Sequence, residues 1–121
     1  MNVGFFVIYG ALFVIAPEVV ATTITGGAPQ TPSGMIDFRA TYGGMSIAVG
    51  LLLAMFARDP SLHALGLRGV GLAMLCMASG RTVGIVLDGN PNAWMWIYLA
   101  GEIAVAIAAF SALRSTATPD R

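Results

Sequence analysis

Four apolar stretches occupy most of this sequence, each close to the roughly 20 residues a helix needs to cross the hydrocarbon core of a bilayer. They run from about residue 3 to 24, 33 to 57, 65 to 87 and 93 to 113. Segments rich in turn formers separate the later ones: TGGAPQTPSG, RDPS and DGNPN. Ser33 is the expected cap of the second helix and Asn92 that of the fourth. Composition decides between a membrane bundle and the core helices of a soluble globule. Only 10% of residues are charged and 57% are apolar, whereas an average soluble domain is about 25% charged. The expected fold is therefore all-α: an integral membrane four-helix bundle with antiparallel, up-down topology, forming one domain over residues 1–121.

The first stretch, MNVGFFVIYGALFVIA, lacks a positive n-region and is followed by further apolar segments, so it reads as an uncleaved span. Pro17 interrupts it, and the span is expected to continue through a kink into EVVATTI. Orientation follows from the arginines, since lysine is absent. Arg58 and Arg68 flank the RDPS turn, and Arg114 and Arg121 follow the fourth span. The positive-inside rule then places both termini and that turn in the cytoplasm, with Trp94, Trp96 and Tyr98 at the opposite interface.

Several chemistries are excluded. Six basic residues balance six acidic ones, which leaves no basic patch for nucleic acid. The lone cysteine, Cys76, allows no intrachain disulfide and is expected to pack within apolar surroundings. One histidine, His63, provides no cluster for haem or metal, and there is no CxxC pair. GLRGVG reads as helix with packing glycines, and no serine, histidine and acid set is available for hydrolysis. No catalytic residue, cofactor or metal is expected.

The charges inside the spans carry the functional argument. At a rise of about 1.5 Å per residue, Arg39 lies roughly 9 Å below the outer end of its span, Arg81 roughly 10 Å and Glu102 roughly 13 Å. Antiparallel topology thus brings three ionisable groups to similar depth. A charge near the bilayer centre costs about 2.5–3.5 kcal/mol on insertion scales, so pairing is favoured over exposure to lipid. Arg39, Tyr42, Gly43, Ser46 and Gly50 form one polar-or-small stripe, Arg81 shares a face with Met74, Met77, Gly84 and Asp88, and Glu102 shares one with Tyr98 and Ala106. With Glu102 ionised, the two arginines leave a net charge of +1, which calls for an anion, a further carboxylate such as Glu18, or water. Tyr9 and Tyr42 are candidate hydrogen-bond donors. On the fourth helix Ala100, Ala104 and Ala108 form a smooth ridge roughly opposite Glu102, fit for a second protomer or a larger membrane complex.

The run DFRATYGG at Asp37–Gly44 resembles a family of small bacterial four-helix membrane proteins catalogued as a domain of unknown function, family number 4345. The likeness extends to YGAL and APE in the first span, GR in the third, DGNP at its exit and Glu102 in the fourth. Asp37 stands where the pattern has glutamate. The resemblance implies an integral four-helix fold and a shared polar cluster, and it supplies no activity. Three functions follow as expectations. The first is a non-enzymatic protein binding an anionic amphiphile or membrane lipid through Arg39, Arg81, Tyr42, Glu102 and Tyr9. The second is an accessory subunit of a larger complex. The third is a small isomerase-like membrane enzyme with Glu102 as proton carrier.

Overall fold

The computed structural model describes residues 3–116. Its regular structure is helical throughout: α1 (Val3–Ile15), α2 (Pro17–Thr25), α3 (Pro32–Phe38), a π-helical turn (Arg39–Gly44), α4 (Met45–Arg58), a 3-10 turn (Pro60–Leu62), α5 (His63–Asp88) and α6 (Ala93–Thr116). Three continuous helical stretches, Pro32–Arg58, Pro60–Asp88 and Ala93–Ser115, are long and apolar enough to cross a membrane, and α1 with α2 makes a fourth if that bent pair is one span. The chain divides between Arg58 and Asp59 into two compact units.

Surface polarity fits lipid as the solvent. Ile8, Ile15, Val86 and Leu87 are 64–76% exposed, while the one buried charged side chain among the described residues is Glu102. Large apolar side chains left exposed along long apolar helices fit helices that face lipid.

In the first unit, α1 is only 13 residues long, about 20 Å against a hydrocarbon core of about 30 Å. The expected kink at Pro17 is a bend of 114° between α1 and α2. Proline lacks an N–H and its ring collides with the carbonyl four residues back, and Ala16 leaves helical geometry with φ −133° and ψ 57°. Helix α1 packs along the π turn and α4 through small residues. A Cβ on Gly10 would lie 2.7 Å from the carbonyl oxygen of Gly43 and 2.9 Å from the amide nitrogen of Ile47. One on Gly50 would lie 2.7 Å from Val7. Gly43 and Gly50 of the expected stripe thus face α1. The second span begins two residues earlier than Ser33 implies: Thr31 caps it, its hydroxyl accepting the Gly34 N–H at 3.1 Å, with Pro32 in the first helical turn.

In the second unit, Asp59 caps the 3-10 turn, accepting from the Ser61 N–H at 2.9 Å and the Ser61 hydroxyl at 2.7 Å. Those two donors hold the Asp59 carboxyl below its ordinary range. Helices α5 and α6 then form a hairpin closed by DGNPN. Gly89 takes φ 68° with ψ −179°, a region open essentially to glycine alone, and Asn92 caps α6 as expected, accepting from Met95 N–H at 3.3 Å. The buried face of α5 is Gly66, Gly71, Met74 and Ala78, and Glu102, Ala106 and Ala109 are buried on α6. Phe110 seats its ring where a Gly71 Cβ would stand, 2.7 Å away. Cys76 departs from expectation: it is exposed, because it lies roughly opposite Met74 on the helix.

Gly10→Ala is expected to destabilise the protein by about 1–3 kcal/mol, the cost of overpacking against atoms that cannot swing aside. Gly4→Ala, at a position with nothing within 4 Å, leaves thermal unfolding in detergent unchanged or raises its midpoint. Since Asp59 has a lowered folded-state pKa, its contribution is full above the unfolded value, about 3.9, and is lost as pH falls through the folded value. The melting difference between wild type and Asp59→Ala should therefore shrink as pH is lowered from 6 through that range.

Candidate functional site

On the α5–α6 hairpin, Arg81 and Glu102 meet side-on. Arg81 Nη2 donates to Glu102 Oε1 at 2.6 Å, and Nε lies 3.2 Å and 3.1 Å from Oε1 and Oε2. The pair is inside the protein, with side-chain exposures of 20% and 7%. The guanidinium is further held by Met95 Sδ, 3.4 Å from Nη1, and by the Tyr98 ring, whose centroid is 5.2 Å from Cζ. Each partner comes from the helical pattern: Met95, Tyr98 and Glu102 stand at i, i+3 and i+7 on α6 and present one face to Arg81. Both oxygens of Glu102 are satisfied, and no buried side-chain polar atom among the described residues lacks a partner. Chemically this is a neutral, closed clasp, in which the planar guanidinium fork matches the carboxylate.

Arg39 sits differently. Its Nη1 donates to the carbonyl oxygen of Val14 and reaches that of Ile15 at 3.4 Å. In an unbroken helix these carbonyls would accept from Glu18 and Val19, four residues on. The bend at Pro17 removes those donors, so Arg39 closes the C-terminal end of α1 from another helix, where a cation also favours the helix dipole. Among the described residues no carboxylate bonds Arg39: Asp37 accepts instead from the Thr41 hydroxyl at 3.3 Å, and Glu18 is exposed. The guanidinium itself is exposed. Arg39 also opens the π turn, in which the Met45 N–H reaches back five residues to the Ala40 carbonyl. Such one-turn insertions occur frequently at functional sites.

Tyr9 and Tyr42 take part in an aromatic ladder. Phe5 stacks on Tyr9 with centroids 5.7 Å apart, Tyr9 lies 4.9 Å from Phe13, and Phe13 stacks on Tyr42 at 5.3 Å. Phe38 closes the group, 4.7 Å from Tyr42. Phe13 is its centre, 2% exposed. Sequence reasoning overlooked Phe13 and Phe38, although Phe5, Tyr9 and Phe13 recur at i, i+4 and i+8, the spacing of one helix face. It also overlooked Met95 and the carbonyl partners of Arg39. Of the expected cluster of Arg39, Arg81 and Glu102, Arg81 and Glu102 form an ion pair.

The fold and these contacts define a small all-α membrane protein whose long apolar helices enclose an Arg–Glu salt bridge. A family model described as a domain of unknown function, DUF4345, matches residues 2–113, and the chain belongs to that family. No curated protein and no solved structure matches the chain.

Breaking a buried ion pair by removing one partner costs about 3–5 kcal/mol, whereas replacing both by apolar groups is often neutral. Arg81→Met and Glu102→Leu are each expected to lose that much in unfolding experiments. The double variant should recover most of it.

Proposed function

We propose that the protein is a non-enzymatic, four-span integral protein of the bacterial inner membrane that binds an anionic amphiphile, a lipid headgroup or fatty acid, at Arg39. In this reading the spans run antiparallel in a single domain, with both termini cytoplasmic. The orientation is supported by the placement of Arg58, Arg68, Arg114 and Arg121. One observation carries the binding assignment: Arg39 is an exposed guanidinium within a candidate span, bonded to carbonyl oxygens and to no carboxylate among the described residues. Carbonyls orient a guanidinium and leave its charge in place, so an anion still gains from approaching it. The surplus positive charge expected of two arginines and one glutamate is thereby assigned to Arg39, since Arg81 and Glu102 cancel each other. Arg81 and Glu102 then hold α5 to α6, and Tyr9 and Tyr42 build the wall beside the α1 break.

The accessory-subunit reading has its own support in the exposure of Ala100, Ala104 and Ala108 on α6, while Glu102, Ala106 and Ala109 are buried. A face of small residues lets another helix approach closely in lipid. The isomerase-like reading has less: Glu102 is 6% exposed and both its oxygens are taken by Arg81.

Arg39→Gln separates charge from capping, because the glutamine amide still has N–H groups to offer the Val14 and Ile15 carbonyls. Native mass spectra of protein purified in mild detergent should show an anionic lipid or fatty-acid adduct in wild type. The adduct should be lost in Arg39→Gln at unchanged melting temperature and retained in Arg39→Lys. An adduct indifferent to Arg39 would sink the assignment, and a stoichiometric protein partner in the same spectra would favour the accessory subunit.

A further inference from the structure

The second span, Pro32–Arg58, is longer than a bilayer requires. Its 27 residues make about 40 Å of helix against a hydrocarbon core of about 30 Å. Tilt alone would hide the excess only at about 40°, twice the average of about 20°. The side chains tell which end projects. Arg39 and Arg58 stand 19 positions apart, about 28 Å, so the two cations bracket a stretch of core length. On the far side of Arg39, α3 exposes Ser33 and Asp37. Non-helical chain runs beside it over residues 26–31, and Pro29 rests on Gly34, where a Cβ would meet it at 2.7 Å. Irregular backbone facing lipid does not occur within hydrocarbon. Helix α1 stops at the same level: the Val14 carbonyl takes Arg39, and a Cβ on Gly43 would lie 2.6 Å from the Val14 side chain. The 114° bend exceeds a right angle, so α2 adds no height to α1. Its Glu18, Thr22 and Thr25 are exposed at i, i+4 and i+7, a polar face.

We infer that hydrocarbon ends at Arg39 in the first unit, and that α2, residues 26–31 and α3 form a collar seated in the phospholipid headgroup layer. The partner is the lipid surface itself. Placing the projecting end at Arg58 instead would sink Glu18, Asp37, Arg39 and the irregular chain in hydrocarbon, where lone charges and open backbone are costly. At the boundary each finds water or headgroups. The guanidinium then reaches the last carbonyls of α1 from the edge, its aliphatic stem along the apolar side. Tyr42, 44% exposed, stands three positions to the hydrocarbon side of Arg39, the depth at which interfacial aromatic residues gather. The inference rests on the membrane reading above and moves Arg39 from within a span to its rim; it stands with or without an anion there.

The test is the depth of nitroxide labels, read by electron paramagnetic resonance from their accessibility to oxygen and to a water-soluble nickel chelate. Single cysteines go at exposed positions of a Cys76→Ser protein in phosphatidylethanolamine–phosphatidylglycerol vesicles. Labels at Ser33→Cys and Ile36→Cys should report headgroup or water, and depth along α4 should peak at Ala48→Cys, midway between Arg39 and Arg58. Labels at Glu18→Cys, Thr22→Cys and Thr25→Cys should share one headgroup depth. An Ile36→Cys label in hydrocarbon, with the peak shifted to Met45→Cys, overturns the proposal. A steady change of roughly 10 Å from Glu18→Cys to Thr25→Cys also overturns it, since α2 would then be crossing the bilayer. Either result leaves the anion reading of Arg39 to its own adduct test. Labels that nowhere reach hydrocarbon depth overturn this inference together with the membrane reading beneath it.

Discussion

The bridge between Arg81 and Glu102 is the contact on which the second half of the chain turns. Neither residue is affordable alone in an apolar helix, and together they convert two expensive charges into one closed hydrogen-bonded unit. Once Nη2 and Nε are committed to the two carboxylate oxygens, the rotation of α5 against α6 is fixed. That choice puts Gly71 under Phe110 and buries Met74, Ala78, Ala106 and Ala109. The apolar contacts then have one register to fill rather than several of similar energy. Met95 and Tyr98 complete the arrangement by flanking the guanidinium with a polarisable sulfur and a ring face, both attractive to a cation.

The first half solves a different version of the same difficulty. Pro17 ends α1 inside a chain that has little water to offer its open carbonyls, and every such group must find a donor within the protein. Arg39 is that donor for Val14 and Ile15. A neutral side chain could close the same carbonyls, so the presence of a guanidinium is what raises the question of an anion. In the function proposed above a structural duty and a binding role fall on one residue, which is why separating charge from donor capacity is the decisive manipulation.

Much of this architecture was legible before any coordinates. Apolar length gave the long helices, DGNPN gave the turn, and the cost of a lone charge predicted that the charges within the spans would pair with one another, as Arg81 and Glu102 do. These are one-dimensional signals or pairwise necessities. What escaped depends on backbone detail that side-chain pattern does not encode. The bend at Pro17 was foreseen as a kink in a continuing span, but its 114° depends on Ala16 leaving the helix altogether. The π turn over Arg39–Gly44 leaves no compositional mark, since one residue added to a turn looks like ordinary helix in sequence. Thr31 displaced Ser33 as a cap because Pro32 already fits the first helical turn. The hydroxyls of Tyr9 and Tyr42 drew attention in the sequence, whereas the ring contacts of both to Phe13 did not. The identity of the anion proposed for Arg39 is not legible, because an arginine specifies charge and geometry without naming what carries the negative group.

The clasp joins residues 21 positions apart across a short turn, and that proximity bears on how the chain enters a bilayer. A hairpin of two helices can be handed to lipid as one object, with its acid and base already joined. Arg81 then never has to wait in hydrocarbon for a distant partner to be synthesised. The hairpin carries its own counterion within 21 positions of sequence.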